Sequence, residues 1–301
     1  MSRTPAKQKS IAIIGTGAVG TALAVLLQNA GYSISALAGH NQERTDALRK
    51  RLNIPNEHSN NDAAIEKSEV IFFCLPDDSL RDEIERSANV LPSYEGKIFF
   101  HTSGALTSSL FEPMRNKEAS GASFHPLQTI PKDVTEISLQ DFAVALEGDR
   151  EAVDFGVAIV NAIGAKPMLL QADQKTMYHV TATLASNGLV GLSGVVEEMI
   201  NTVGLGEEGR EHFYKLMGQS LENSRSMTAP EAITGPASRG DIATLKQHVS
   251  SLRQYSPHML PVYVVIGSHC VSLAIQSGKL SQEQGEEILD VFSNELQGLT
   301  M

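Results

Sequence analysis

The chain of 301 residues has a formal net charge of −11, with 24 lysines and arginines against 35 aspartates and glutamates, so it offers no general attraction to nucleic acid or to an anionic membrane. Its two cysteines, Cys74 and Cys270, lie far apart and form neither a C-x-x-C motif nor the paired spacing of a disulfide or zinc scaffold, which points to the reducing cytoplasm. The length suits two ordinary domains, each able to bury its own core.

Residues 1–9 are basic but lack the apolar core of a signal peptide and read as a disordered leader. The apolar run Ile11–Ile14 then enters Gly15-Thr16-Gly17-Ala18-Val19-Gly20, followed at once by helix formers from Thr21 to Leu27. This is a G-x-G-x-x-G turn in the strand-turn-helix setting that dinucleotide binding requires. Gly15 allows the tight turn, Gly17 lets the backbone approach a pyrophosphate, and Gly20 lets the helix pack on the strand. Cofactor contacts are therefore expected along Gly15, Thr16, Gly17, Ala18, Val19 and Gly20.

A second strand is expected over Ser33–Leu37. An NAD site places an acid about 20 residues past the first glycine, whereas an NADP site offers cations there. Residues Ile34 to Gly39 contain no acid, and His40, Asn41 and Arg44 follow as expected cofactor contacts. The charge pattern favours NADP and leaves NAD open. The alternative is that His40 and Arg44 are solvated residues at a helix start.

Val70–Leu75 reads as a central strand ending in Pro76-Asp77-Asp78, and Lys97–His101 as the next strand. Ligands in open α/β sheets bind beyond the carboxyl ends of strands, which makes Leu75, Pro76, Asp77, His101, Thr102 and Ser103 expected cofactor neighbours. Cys74 reads as a small buried hydrophobe and Asp77-Asp78 as caps for a helix from Ser79. Three further runs, Gly121–Phe124, Phe142–Leu146 and Pro167–Leu170, and one helix, Arg150 to Ile163, extend this half. His125, just past a strand, is a candidate substrate contact or a loop cap.

From Asp173 onward the strand signals vanish, placing a dinucleotide-binding domain over 10–171 and a helical domain over 172–301. The helical part opens with Gln174 to Asn187. At helical steps of three or four, Lys175, His179, Ala182 or Thr183, and Ser186-Asn187 share one face. Lys175 or His179 would transfer a proton, and Ser186 and Asn187 would orient substrate. The bland reading makes Lys175 an exposed helix-start residue and His179 a bonded core residue. In Gly235-Pro236-Ala237-Ser238-Arg239-Gly240-Asp241, Arg239 could clamp a substrate carboxylate or pair with Asp241. No metal site is expected, because His101 and His125 have no ligand cluster at suitable spacing. The longest apolar stretch, Met259 to Ile275, carries Pro261 and His269 and reads as a buried helix, not a membrane span.

The glycine turn, Leu75-Pro76-Asp77, the His101 to Leu106 segment, Ser123-Phe124-His125-Pro126-Leu127-Gln128-Thr129 and the Gly235 to Asp241 loop together resemble a family of oxidoreductases assigned by sequence. In that family a Rossmann-like domain precedes a helical domain of unknown function, and the resemblance covers residues 11 to 295. More distantly the chain is similar to pyrroline-5-carboxylate reductase, prephenate dehydrogenase, 3-hydroxyisobutyrate dehydrogenases and F420-dependent NADP oxidoreductases. The resemblance implies an α/β Rossmann domain with a doubly wound, mostly parallel sheet. It also implies an all-α domain of the 6-phosphogluconate dehydrogenase C-terminal type and a homodimer formed through the helices. The 3-hydroxyisobutyrate type has a catalytic Lys with an Asn four residues later; Lys175 matches, and His179 occupies the second place. The resulting expectation is an NADP-preferring oxidoreductase moving a hydride to or from a small carbonyl, imine or hydroxy acid. The alternatives are an NADP-binding sensor without turnover and an F420-dependent NADP reductase.

Overall fold

The computed structural model describes residues 9–54, 60–131 and 138–297, with side chains through residue 294. Most of the expected leader, residues 1–8, lies outside the described residues. The chain divides into two compact units, Met1–Ser186 and Asn187–Met301. The first unit therefore runs past the boundary expected near Gln171 and takes the start of the first long helical segment with it.

Seven strands form one sheet in the first unit: β1 (Ser10–Ile14), β2 (Ser33–Ala38), β3 (Val70–Phe73), β4 (Ile98–His101), β5 (Ser120–Pro126), β6 (Ala143–Gly148) and β7 (Lys166–Leu169). Their spatial order is β2-β1-β3-β4-β5-β6-β7. Strands β1 to β5 are parallel, β6 runs antiparallel to β5, and β7 pairs parallel with β6. The seven apolar runs expected as strands become strands; the continuous Val, Ile and Phe segments of β3 and β4 are buried throughout, as suits strands covered on both faces, whereas β7 is exposed along its length.

Helices α1 (Ala18–Asn29), α2 (Gln42–Arg51), α3 (Asn61–Lys67), α4 (Asp77–Ser87), α5 (Glu112–Arg115) and α6 (Arg150–Ala162) provide that cover. One core joins Leu23 and Leu27 of α1, Leu48 of α2 and Ile159 of α6 to Ile11, Phe72, Phe100 and Phe124. The core on the other face joins Ile65 of α3 and Leu80 of α4 to Ile14, Phe73, Phe99 and Phe111. Helix α4 starts at Asp77, two residues before the expected start, with Pro76 at the N-cap. Asp77 and Asp78 thus occupy the first turn, where they favour the helix dipole without capping through their side chains. Strand order reverses about β1, whose neighbours β2 and β3 follow it on opposite sides, so the turns after β1 and β3 flank a topological switch point.

Helix α7 (Lys175–Thr183) follows a short 3₁₀ turn and runs into a π-helical turn, Leu184–Gly188, within which the division between units falls. The second unit comprises α8 (Leu189–Thr202), α9 (Gly206–Ser226), α10 (Ala229–Ala232), α11 (Ile242–Tyr255), α12 (Leu260–Gln276) and α13 (Gln282–Gln297). Its core gathers Leu245 and Val249 of α11, Leu260, Val264 and Val271 of α12, and Ile288 and Phe292 of α13. The segment Pro257–Gln276 has a mean hydropathy of 1.6 and is long and apolar enough to cross a membrane by length and composition. The expectation of a buried helix holds for one face only, since 22% of that window is buried and Val265 and Ile266 are exposed.

Candidate functional site

The glycine turn is built as its residue types require. Gly15 has φ +101°, a region that L side chains avoid, and a Cβ there would collide with the carbonyl of Cys74. A Cβ on Gly20 would overlap the carbonyl oxygen of Gly15, so this position is closed to any side chain. Gly17 differs: nothing lies within 4 Å of a Cβ built there. Its bare backbone caps α1 without a side-chain hydrogen bond, leaving the amides of the first turn free for an anion. Thr16 is turned inward, its hydroxyl 2.8 Å from that of Thr45, and Ala18 and Val19 form the first turn of α1. The Thr16 side chain therefore serves the fold, and only its backbone remains for the expected cofactor contact.

Beside this turn lies a cleft of about 1000 Å³ lined by Gly15, Gly39, His40, Leu75, Pro76 and Ser79, among others. His40 thus lines the cleft. Asn41 is not among its lining residues; its side chain accepts the Arg44 amide at 2.9 Å and caps α2, which replaces its expected cofactor contact. Arg44 stands exposed on the first turn of α2, and Asp77, also exposed, is likewise absent from the lining. On the far wall Arg86 is held by Asp62 at 2.7 Å and Glu83 at 2.6 Å.

A second group of polar side chains stands at the carboxyl ends of β4 and β5. Register pairs His101 with Ser123 and Ser123 with Glu147, so three neighbouring strands carry a polar row. His101 is fully buried: its Nδ1 accepts the Ser103 amide at 3.2 Å and its Nε2 donates to the Thr107 carbonyl at 3.2 Å. Both ring nitrogens are engaged within the fold. Burial and the neighbouring Lys175 charge hold its pKa down at about 3. The Ser103 hydroxyl accepts from the amides of Ala105 and Leu106, fixing the turn after β4, and Thr102 donates its amide to Phe73.

Lys175 is 1% exposed, and its Nζ donates to the Ser103 carbonyl at 3.0 Å and to the Ser123 hydroxyl. Loss of solvation lowers its pKa to about 8, with Glu147 and Asp77 acting in the opposite direction. In this arrangement Lys175 holds the Ser103 turn, a place the reading of it as an exposed helix-start residue did not foresee. His179, one turn on, faces the same turn, where a Cβ on Gly104 would collide with its Nδ1 and lie 2.9 Å from Nε2 of His125. Buried His179 Nδ1 has no hydrogen-bond partner among the described residues.

His125 accepts from or donates to the Tyr178 hydroxyl through Nδ1 at 2.8 Å, and its ring meets that of His179 edge-on at 5.9 Å. Burial, then Lys175 and His179, push the His125 pKa down to about 4, while burial pushes Tyr178 up to about 12. Tyr178, Ser123 and Glu147 were not singled out in the sequence. Tyr178 lay between the two obvious candidates, and the other two become visible only through strand register.

The polar stripe expected along Lys175 to Asn187 is cut by the π-helical turn, which adds a residue to the turn and rotates the residues beyond it. Thr183 and Asn187 are exposed and Ser186 is half-buried. Asn187 and Arg239 belong to the second unit, where Arg239 is exposed and Asp241 caps α11 by accepting the Thr244 amide at 3.1 Å. Among the described residues no group of three or more His, Cys, Asp or Glu side chains could hold a metal ion.

A Gly-rich turn at a switch point, opening a helix with free amides beside a wide cleft, defines the first unit as a dinucleotide-binding type of α/β domain. Residues 2–126 match the Rossmann-like domain model, and residues 142–270 match the domain of unknown function DUF2520. The chain thus carries a Rossmann-like domain followed by a DUF2520 domain, whose match begins inside the sheet at β6 and β7. No curated protein matches the chain. Among solved structures, a Bacteroides fragilis protein provisionally named NADP oxidoreductase BF3122 is similar with a TM-score of 0.73 at 19% identity, covering 89% of this chain and 99% of its own. Protein TM1727 from Thermotoga maritima gives 0.66 at 23% identity, covering 88% and 98%. A reductive aminase from Aspergillus terreus, in complex with NADPH and ethyl-5-oxohexanoate, gives 0.60 at 16% identity, covering 96% and 94%. At these identities the likeness is one of fold.

Proposed function

We propose that the protein is an NADP-dependent oxidoreductase that moves a hydride to or from a small carbonyl, imine or hydroxy acid. The observation that carries this reading is a pairing on one sheet: an open glycine turn after β1, and a cluster of proton-handling side chains after β4 and β5. The nicotinamide cofactor supplies or accepts the hydride when bound. The α1 amides and bare Gly17 backbone receive its pyrophosphate, and His40 and Arg44, with no acid from Ile34 to Gly39, favour a 2′-phosphate. The names of the similar structures, two of which mention NADP or NADPH, support the same cofactor.

At neutral pH Tyr178 keeps its proton and His125 is uncharged, so the hydrogen-bonded pair can lend a proton to a substrate oxygen or nitrogen and recover it through the imidazole. His179 offers a second ring nitrogen beside the same turn. A homodimer through the helical unit is part of the reading. Helix α9 spans 21 residues yet buries only Gly209, while Phe213, Tyr214, Leu216 and Leu221 are exposed.

Calorimetric titration with NADPH and NADH tests the cofactor. NADPH is expected to bind more tightly, and Gly17→Ala is expected to weaken binding by about tenfold or more without lowering the melting temperature, because its methyl enters empty space on the ligand side. A parent protein that binds neither nucleotide would overturn the proposal. Turnover of a panel of carbonyls, imines and hydroxy acids, followed by nicotinamide absorbance, is expected to fall about 10²-fold in Tyr178→Phe.

A further inference from the structure

The row His101, Ser123, Glu147 spans three strands and ends in a buried carboxylate to which no cation among the described residues is directly bonded. Glu147 is 6% exposed; its two oxygens accept from the Ser108 amide and the Ser108 hydroxyl, each at 2.8 Å. Arg115 reaches the same hydroxyl at 2.9 Å, but its own guanidinium is engaged by Asp149 at 2.7 Å. Ser123 also accepts from the Lys175 ammonium, which among the described residues is bonded only to neutral oxygens. A cation and an anion thus occupy neighbouring buried places on one sheet face, with Ser123, which accepts from the ammonium, in register with Glu147. Burying either charge alone would be costly, and mutual attraction in a poorly solvated interior is the compensation available.

We propose that Glu147 is a positioning residue: it supplies the counter-charge that keeps a protonated Lys175 buried against the Ser103–Gly104 turn, and so keeps a cation beside His125. The role it gives His125 rests on the proton-handling reading above, but the charge pairing itself does not. The other charged or titratable groups around this site are Arg115 on α5, paired with Asp149, on the Glu147 side, and Asp77 on α4, His101 on β4, His125 on β5 and His179 on α7 on the Lys175 side. Asp77 is exposed, so water screens it; the two imidazoles that feel Lys175 carry no charge at neutral pH. Glu147 is the only buried anion acting on the Lys175 charge among the described residues. Its removal should release the Lys175 proton at lower pH.

Nuclear magnetic resonance titration of protein carrying ¹³C-labelled lysine reads this directly, with the Lys175→Met variant assigning the signal. The parent Lys175 is expected to titrate at about 8. In Glu147→Gln the midpoint should fall by about one unit or more, the tenfold shift in proton affinity that losing a nearby buried charge entails, while Glu147→Asp keeps it near the parent value. An unchanged midpoint in folded Glu147→Gln overturns the proposal. Should that variant fail to fold, the parent decides alone. Its Glu147 carboxyl carbon must show an inflection at the Lys175 midpoint, and a carbon that stays flat there overturns the pairing. Neither readout involves nucleotide or substrate, so it stands apart from the success or failure of the oxidoreductase reading.

Discussion

The two units solve the same problem, covering apolar surface, to different degrees. On the central strands of the sheet unit both faces are closed: Ile11, Phe72, Phe73, Phe99, Phe100 and Phe124 are essentially inaccessible, and rings stack across β3 and β4 with Phe72 and Phe100 centroids 4.7 Å apart. In the helical unit, α8 buries only Ile200 and α9 only Gly209. A long helix gains most of its stability from packing an apolar face, so these helices are built for cover that their own unit does not supply. Substitutions in the sheet unit should therefore act on folding, and those along α8 and α9 on what the surface meets.

The largest effect is expected at Gly20, where an added methyl overlaps a backbone carbonyl that cannot move without breaking the turn. Gly20→Ala should cost about 3 kcal/mol or more in urea unfolding and lose nucleotide binding with it. Its contrast with Gly17→Ala, which should spare stability, separates a structural turn from a binding turn. Equal destabilisation by both would place Gly17 in the fold and not at a ligand.

Acid comes next. His101 and His125 have pKa values of about 3 and about 4 in the folded protein against an ordinary 6.5, so below pH 6.5 the unfolded chain takes up protons that the folded one refuses. Stability must then fall as pH drops, by about 2 kcal/mol per imidazole at pH 5. Unfolding at pH 7 and 5 checks this, and in His125→Gln the acid loss should be roughly halved. Lys175 acts at the other end. Its folded pKa of about 8 lies below the ordinary 10.5, so between those values the unfolded chain holds the extra proton and stability rises with pH. From pH 8 to 9 the gain is about 1 kcal/mol, read most cleanly in a Cys74→Ala background, because the buried Cys74 thiol, raised to about 12, works in the opposite direction above pH 9. No rise with pH there would mean that Lys175 is better solvated than its burial indicates.

The parts of the molecule legible in the sequence divide along the same line. Glycine chemistry and apolar runs are local signals: Gly15, Gly20 and Ile11–Ile14 ended where those signals put them, and the strand expected over Val70–Leu75 runs over Val70–Phe73. The site was legible only where it used local chemistry. Lys175 and His179 do share a helix face, yet a lysine at a helix start reads as exposed, and its burial depends on β4 and β5, about 50 to 70 residues earlier in the chain. Glu147, one residue past the run Phe142–Leu146, carried no local signal, because its partner Ser123 is set by an antiparallel pairing that no local pattern announces. The stripe toward Asn187 failed for a different reason. Constant helical steps assume an α-helix throughout, and the π-helical turn at Leu184–Gly188 breaks that assumption.

The smallest effect on the isolated chain, and the sharpest test of the comparison, belongs to α9. Leu216 and Leu221 are 61% and 48% exposed, so replacing both with serine removes almost no buried contact within the unit. Unfolding of a dilute, monomeric sample should change by no more than about 0.5 kcal/mol per site. If a second copy covers this face, the same variant should sediment as a monomer at concentrations where the parent sediments as a dimer, and only the parent should melt at a temperature that rises with protein concentration. A parent that stays monomeric, with a melting temperature independent of concentration, removes the homodimer. The exposed surface of α8 and α9 would then need another partner, because a helix of 21 residues with one buried position has little else to hold it in place.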